Sequence, residues 1–403
     1  MQASSVHTSS VDCCKPPRRA ALYLAVLAAV LALPARASAQ WDVSPALEGE
    51  IQSAIGHIYN LEFYDANQSA DRIIRERPDH PVGHFFKAMV EWWRILTNFQ
   101  DESRDDTFED MLETVIDICD KRLDKNPDDV TALFFKGGSL GFRGRLRANR
   151  GNWVGAARDG VAALPIVRRA HELAPENTDV LLGIGIYNYY AEVVPDRYPL
   201  VKPLMIFFPS GDRALGLQQL ERAAREARYA SSEARYFLAQ SYYQFERDYG
   251  RSLESSRILH DRYPRNPLFH RGVGRALVGL GRWEEAFVLF FEIQRRCQER
   301  WTGYDDPAAR EAYYYIGQSY FNNGRYDDAR TALELCEGLS KKLDTAEESG
   351  FWVMAVLTLG KISDAQGKRA EAQQFYERVL DMQDYHSAHR QAEVFLSYPY
   401  RGH

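Results

Sequence analysis

Apolar residues in this chain recur at helical spacing, in runs that prolines and polar residues bring to a stop. Four prolines, Pro78, Pro127, Pro175 and Pro264, each close such a run, and a small residue follows every one of them ten positions on: Ala88, Gly137, Gly185 and Gly274. A ring nitrogen cannot donate to the preceding turn, so each proline ends a helix. The small residue then falls inside the next helix, where glycine or alanine lets two helices approach. A fixed offset between stop and crossing predicts stacked helical hairpins.

Single copies carry the same grid. Ala54, Ala66, Ala70 and Ile73 stand 24, 12, 8 and 5 residues before Pro78. Nearer the C-terminus the grid holds Gly274, Leu277, Gly281, Trp283, Ala286 and Phe290, then Tyr313, Ile316, Gly317, Tyr320, Gly324, Tyr326, Ala329 and Leu333, then Gly360, Gly367, Ala372 and Tyr376. On these residues the chain resembles the tetratricopeptide repeat (TPR) family over nearly all of its length after the N-terminal segment. The expected fold class is all-α, a TPR-like α-solenoid of about eight antiparallel helix pairs. The pairs fall at residues 47–80, 81–129, 130–177, 178–229, 230–264, 265–305, 306–345 and 346–384, with a capping helix over residues 386–396. No pair can bury its apolar stripe alone, so the pairs stack and share a continuous core.

Composition fits one long array. Apolar residues make up 45% and aromatic residues 12% of the chain, enough for burial, and no Ser/Gly/Pro-rich linker divides residues 40–403. Residues 1–39 read as an export leader: Lys15, Arg18 and Arg19 precede an apolar run over residues 20–33, and Ala37, Ser38 and Ala39 offer a cleavage site. That run is short against the roughly 20 residues of a spanning helix. Cleavage before Gln40 and residence in the periplasm, or on the periplasmic face of the outer membrane, are the expectations. Losing Lys15, Arg18, Arg19 and Arg36 against Asp12 takes the net charge from −6 to −9. An acidic chain of this kind is a poor nucleic-acid binder.

The sequence carries little reactive chemistry. It holds no phosphate-binding glycine loop, nucleophile elbow or paired-cysteine zinc motif, so no enzyme, cofactor or metal is expected. Cys119, Cys297 and Cys336 remain after the leader, an odd and scattered set that reads as structural thiols. His80 with His84 and His386 with His389 have helical spacing, but Pro81 interrupts the first pair and neither has a third ligand nearby.

The TPR resemblance implies that the first helix of each pair lines a concave groove, with ligand contacts at fixed positions along it. Those positions hold Phe85, Met89, Trp92, Trp93, Phe134, Phe142, Leu182, Ile186, Tyr189 and Tyr190 in the upstream half. The downstream half holds Tyr236, Gln240, Gln244, Arg271, Arg275, Gln318, Asn322, Lys361 and Asp364. An apolar surface of that size calls for a cover. One candidate is internal, the proline-bearing apolar insertion over residues 193–209, whose prolines forbid a regular helix and which would pack over the aromatic half as a plug or lid. The other is external: a protein or peptide of the cell envelope, held by a non-catalytic scaffold, or alternatively an apolar small molecule or lipid, held by a carrier or sensor. Residues 181–220 also resemble the eukaryotic inclusion-body-clearance type of TPR protein, through Gly185, Asn188, Gly211, Asp212, Arg213 and Gly216. That likeness supports the fold and implies no activity.

Overall fold

Seventeen α-helices and no strand make up the described residues of the chain, which in a computed structural model are 43–197, 202–203 and 209–402. The expected leader, residues 1–39, lies outside them, and so do residues 198–201 and 204–208 of the apolar insertion. From Ser44 onward the chain forms one unit. Its helices pair as α1 (Pro45–Tyr59) with α2 (Phe63–Glu76), α3 (Pro81–Thr97) with α4 (Asp105–Leu123), α5 (Val130–Asn149) with α6 (Trp153–Leu173), and α7 (Leu181–Arg197) with α8 (Arg213–Glu226). The next four pairs are α9 (Ser231–Ser241) with α10 (Tyr249–Arg262), α11 (Pro267–Gly279) with α12 (Trp283–Gln298), α13 (Asp306–Asn322) with α14 (Tyr326–Leu343), and α15 (Gly350–Ala365) with α16 (Arg369–Leu380). α17 (Ala388–Ser397) caps the array. The fold is thus the helical solenoid of eight pairs that the pattern predicts.

Local chemistry fixes the helix ends. The side chains of Ser44, Asp129, Asn152, Asp212, Asp248, Asn266 and Ser349 each accept from a backbone N–H two or three residues on, which satisfies one of the unpaired donors of a first turn. Pro45, Pro81 and Pro267 open their helices, where a missing N–H costs nothing. Pro195 departs from expectation. α7 continues through it to Arg197 and buries Val193 in the fourth pair. So late in a helix the ring removes one bond of a turn that is about to end.

Between pairs the core consists of apolar clusters that bridge neighbours. Leu181, Ile184 and Tyr189 of α7 pack with Leu220 of α8 and Leu238 of α9, and Leu277, Phe290 and Ile293 pack with Ile316 of the next pair. At the far end Val353, Val356 and Tyr376 meet Ala388 and Ala392 of the cap. Small residues set the crossings: a Cβ on Gly360 would stand 2.6 Å from the Tyr376 ring, so a side chain there would force the last pair apart. Asp364 ties down the C-terminal tail. It accepts from Arg369, from the Tyr376 hydroxyl at 3.0 Å and from the Tyr400 N–H at 2.9 Å.

Candidate functional site

The first pair reaches across to the fourth, fifth and sixth, so the array closes on itself within one superhelical turn. On α1, Glu48 accepts from the Arg228 guanidinium at 2.8 Å and from the Tyr229 hydroxyl. At the end of that helix the buried Tyr59 hydroxyl donates to Glu233 Oε2 at 2.8 Å, and Asn266 Nδ2 donates to the Tyr59 carbonyl at 2.8 Å. Arg265 Nη1 donates to Glu62 at 2.9 Å in the turn that follows. Rings seal the junction: Tyr59 stacks on Tyr263 at 5.1 Å between centroids, and Trp93 meets Tyr59, Tyr236 and Phe269 at 5.2, 5.5 and 5.4 Å.

This closure corrects the expected open groove. Trp92 and Trp93 are 0% and 1% exposed, and Met89 and Tyr189 are buried with them. Trp93 is a core residue of the closed turn, because its ring comes up against α1, α9 and α11 instead of water, whereas Trp92 and Tyr189 are covered by their own and adjacent pairs. Trp92 stacks on Phe108 and meets the edge of Phe142, with the Arg145 guanidinium 5.2 Å over its ring. Tyr189 donates to Glu246 at 2.6 Å, a residue of the π-helical turn Tyr242–Glu246 that ends α9. The other six predicted residues, Phe85, Phe134, Phe142, Leu182, Ile186 and Tyr190, are half-buried and stay together on the first helices α3, α5 and α7. Sequence reasoning missed Tyr59, Arg145, Glu233 and Asn266 altogether. Their partners lie up to 207 residues away, and no local pattern marks such contacts.

Charge inside the turn is paired unevenly. Burial raises the Glu233 pKa against the pull of Arg145, whose Nη1 stands 3.7 Å away, beyond hydrogen-bond reach. In the downstream half, burial acts to raise the pKa of the fully buried Glu311 as well. Arg271 and Arg275, bonded to it at 2.5 to 2.6 Å, overcome that effect and hold it at about 2. Gln318 donates to Thr358 and Lys361 to Gln391. Most of the predicted polar half is therefore committed to neighbouring helices.

The remaining chemistry is structural. Cys119 and Cys336 are buried, Cys297 is half-buried, all three are free, and burial pushes each thiol up to about 12, out of the reactive range. His80 caps α3, accepting from the Val82 N–H. His57, Glu62 and Asp65 bring three ligand atoms within 4.8 Å of one another, but Glu62 already serves His57 at 2.6 Å and Arg265. In the Gly-Asp-Arg segment, Asp212 caps α8, the Arg213 N–H donates to Glu192 and its guanidinium to Glu246. Among the described residues no helix is long and apolar enough to cross a membrane.

Comparison with known proteins agrees with the repeat. No curated protein matches the chain. Similar solved structures include the C-terminal part of a TPR repeat-containing protein from Cytophaga hutchinsonii, 16% identical over 73% of this chain and 98% of that one, with a TM-score of 0.35. A tetratricopeptide repeat protein from Parabacteroides merdae is 13% identical over 77% and 99%, at 0.32. The apo quorum sensor NprR from B. thuringiensis is 13% identical over 89% and 83%, at 0.36. Two models of the tetratricopeptide repeat match the sequence itself, one over residues 295–336, from the end of α12 into α14, and one over residues 355–386, across α15 and α16. The chain thus carries tetratricopeptide repeats over those residues, within an array of helix pairs that continues upstream.

Proposed function

We propose that the chain is an exported, non-catalytic TPR scaffold of the cell envelope, periplasmic or on the periplasmic face of the outer membrane, that holds a protein or peptide partner. The observation that carries this reading is the set of six half-buried apolar residues, Phe85, Phe134, Phe142, Leu182, Ile186 and Tyr190, gathered on three successive first helices. Half-buried aromatic groups on a rigid frame are the usual anchors of protein interfaces. Buried rings back two of those anchors, Trp92 against Phe142 and Tyr189 against Tyr190. The thiols are held protonated and the buried carboxylate Glu311 is neutralised by arginine, so neither is poised for chemistry.

In-cell crosslinking tests the reading. A photoreactive residue in place of Phe134 should capture one dominant polypeptide in the native host, and the same group at the exposed outer-face position Val154 should not. Equal capture at both positions, or none at Phe134, would remove this face from the binding surface. A lipid-sized adduct at Phe134 would turn the reading to a carrier.

A further inference from the structure

Between Arg150 and His171 the outward side of α6 carries no free acid. The one acid in that stretch, Asp159, is buried and bonded to Arg143 and Arg147. What the helix turns outward is apolar and basic: Val154 and Val161 are 66% and 45% exposed, and Trp153, Arg158, Pro165 and Arg168 are exposed beside them. A single exposed valine needs no explanation, but these residues are ordered. At about 100° per residue, Val154, Val161 and Pro165 fall on one line, with Arg168 about 20° to one side of it and Arg158 about 20° to the other. Asp159, Ala163 and Ala170 lie opposite, on the buried side.

The surroundings are acidic. The chain carries a net charge of −6, and α4, the second helix of the preceding pair, exposes Asp106, Asp110, Glu113 and Asp117. Most arginines of α5, α6 and the turn between them are matched to carboxylates: Arg143 and Arg147 to Asp159, Arg150 to Asp105 and Arg169 to Asp128. Arg158 and Arg168 are not. Neither has an ion-pair partner among the described residues, and the Arg168 guanidinium lies 5.7 Å over the Tyr187 ring. Glu172, the next acid along the helix, is exposed, and Arg169 stands 3.4 Å from it.

We infer that the outer face of α6 is a docking surface for an anionic membrane, through which the protein attaches to the headgroup layer of an acidic phospholipid bilayer. An apolar line between basic flanks, on the side of a helix turned away from its core, is the pattern of a helix that lies in the interface plane. Val154, Val161 and Pro165 enter the boundary between headgroups and chains. Arg158 and Arg168 lay their stems along that line and set their guanidiniums at the phosphates. An acidic polypeptide meets the arginines and not the line, and a neutral bilayer meets the line and not the arginines; an anionic bilayer meets both. The acidic remainder of the chain is repelled by the same surface, which orients α6 toward it. A line one helix wide supports reversible attachment, not insertion. The inference goes beyond the scaffold reading and does not use the face of the first helices.

Residues 40–403 contain the whole folded unit from Ser44 and omit the apolar run over residues 20–33, so they carry the test. Sucrose-loaded vesicles of phosphatidylglycerol and phosphatidylethanolamine should sediment the protein at low salt, and phosphatidylcholine vesicles should not. Salt at about 1 M should release it, because charge then acts over only about 3 Å. Arg158→Gln with Arg168→Gln should weaken binding by about 25-fold, about fivefold for each cation removed from the surface. Val154→Ser with Val161→Ser leaves the charge alone and should weaken it by about tenfold, with circular dichroism unchanged. Arg390→Gln, the same loss of charge at an exposed position of the cap, should stay within about twofold of wild type. No sedimentation with phosphatidylglycerol, equal sedimentation with phosphatidylcholine, or an arginine pair that behaves like Arg390→Gln overturns the inference. Binding that the valine pair leaves intact while the arginine pair abolishes it is a charge-only contact of the kind an acidic polypeptide makes, and overturns it as well. The Phe134 crosslink reads a different helix and a different face, so the two readings fail separately.

Discussion

A Cβ on Gly216 would stand 2.5 Å from the backbone nitrogen of Tyr189 and 2.9 Å from the Gly185 carbonyl, with no flexible side chain between to give way. Gly216→Ala should therefore cost about 1–3 kcal/mol, visible as a lower melting temperature, and an unchanged melt would mean that the α7–α8 crossing is looser than described. Position and size of such small residues were legible in the sequence, because the repeat marks where helices cross. Buried charge was not. Glu311 reads as an ordinary surface glutamate until α11 brings Arg271 and Arg275 onto it from 36 to 40 residues away. His270 is a further case. It is buried, stacked on His260 at 4.3 Å, accompanied by Arg296 and hydrogen-bonded with Tyr304, and burial above all lowers its pKa to about 2. Below pH 6.5 the unfolded chain takes up a proton there that the folded chain refuses, so stability falls by about 1.4 kcal/mol per pH unit from this residue. Glu233, raised by burial, acts in the opposite direction. The difference between wild type and His270→Gln isolates the histidine: that gap in unfolding free energy should narrow as pH drops from 6.5 to 5, and a constant gap would show that His270 does not titrate as described.

At the scale of elements, capping and stop signals did most of the specifying. Ser44, Asp129, Asp212 and Ser349 are good starters and sit where helices begin. The insertion was harder to read, because a proline near a helix end and a proline in a loop look alike in sequence, and Pro195 proved to be the former. The cap carries a prediction of its own. α17 covers Val353, Val356 and Val379, and its tail places Tyr400 against Phe321 at 5.7 Å. Truncation after Asp384 should expose that apolar end and lower hydrogen-exchange protection of α15 and α16 first, while α3 to α6 keep theirs. Equal loss along the whole array would indicate that the pairs do not behave as near-neighbour units.

At the scale of the whole array, closure was the feature that sequence could not show. It is the sum of small rotations over the four junctions between the first pair and the fifth, and it brings Tyr59 to Glu233 across 174 residues with no motif at either end. It also explains why Trp93, which looked open in the repeat grid, is core. Pairing, capping and core follow from local pattern, and so does the burial of Trp92 between neighbouring pairs, whereas the burial of Trp93 follows from superhelical geometry. A double-mutant cycle on Tyr59→Phe and Glu233→Gln, read by urea unfolding with tryptophan fluorescence, tests the closed turn most directly. The two changes should couple by about 1–3 kcal/mol, as residues joined by a buried hydrogen bond do. Simple additivity, within about 0.5 kcal/mol, would place the first pair away from the fifth and contradict the closure.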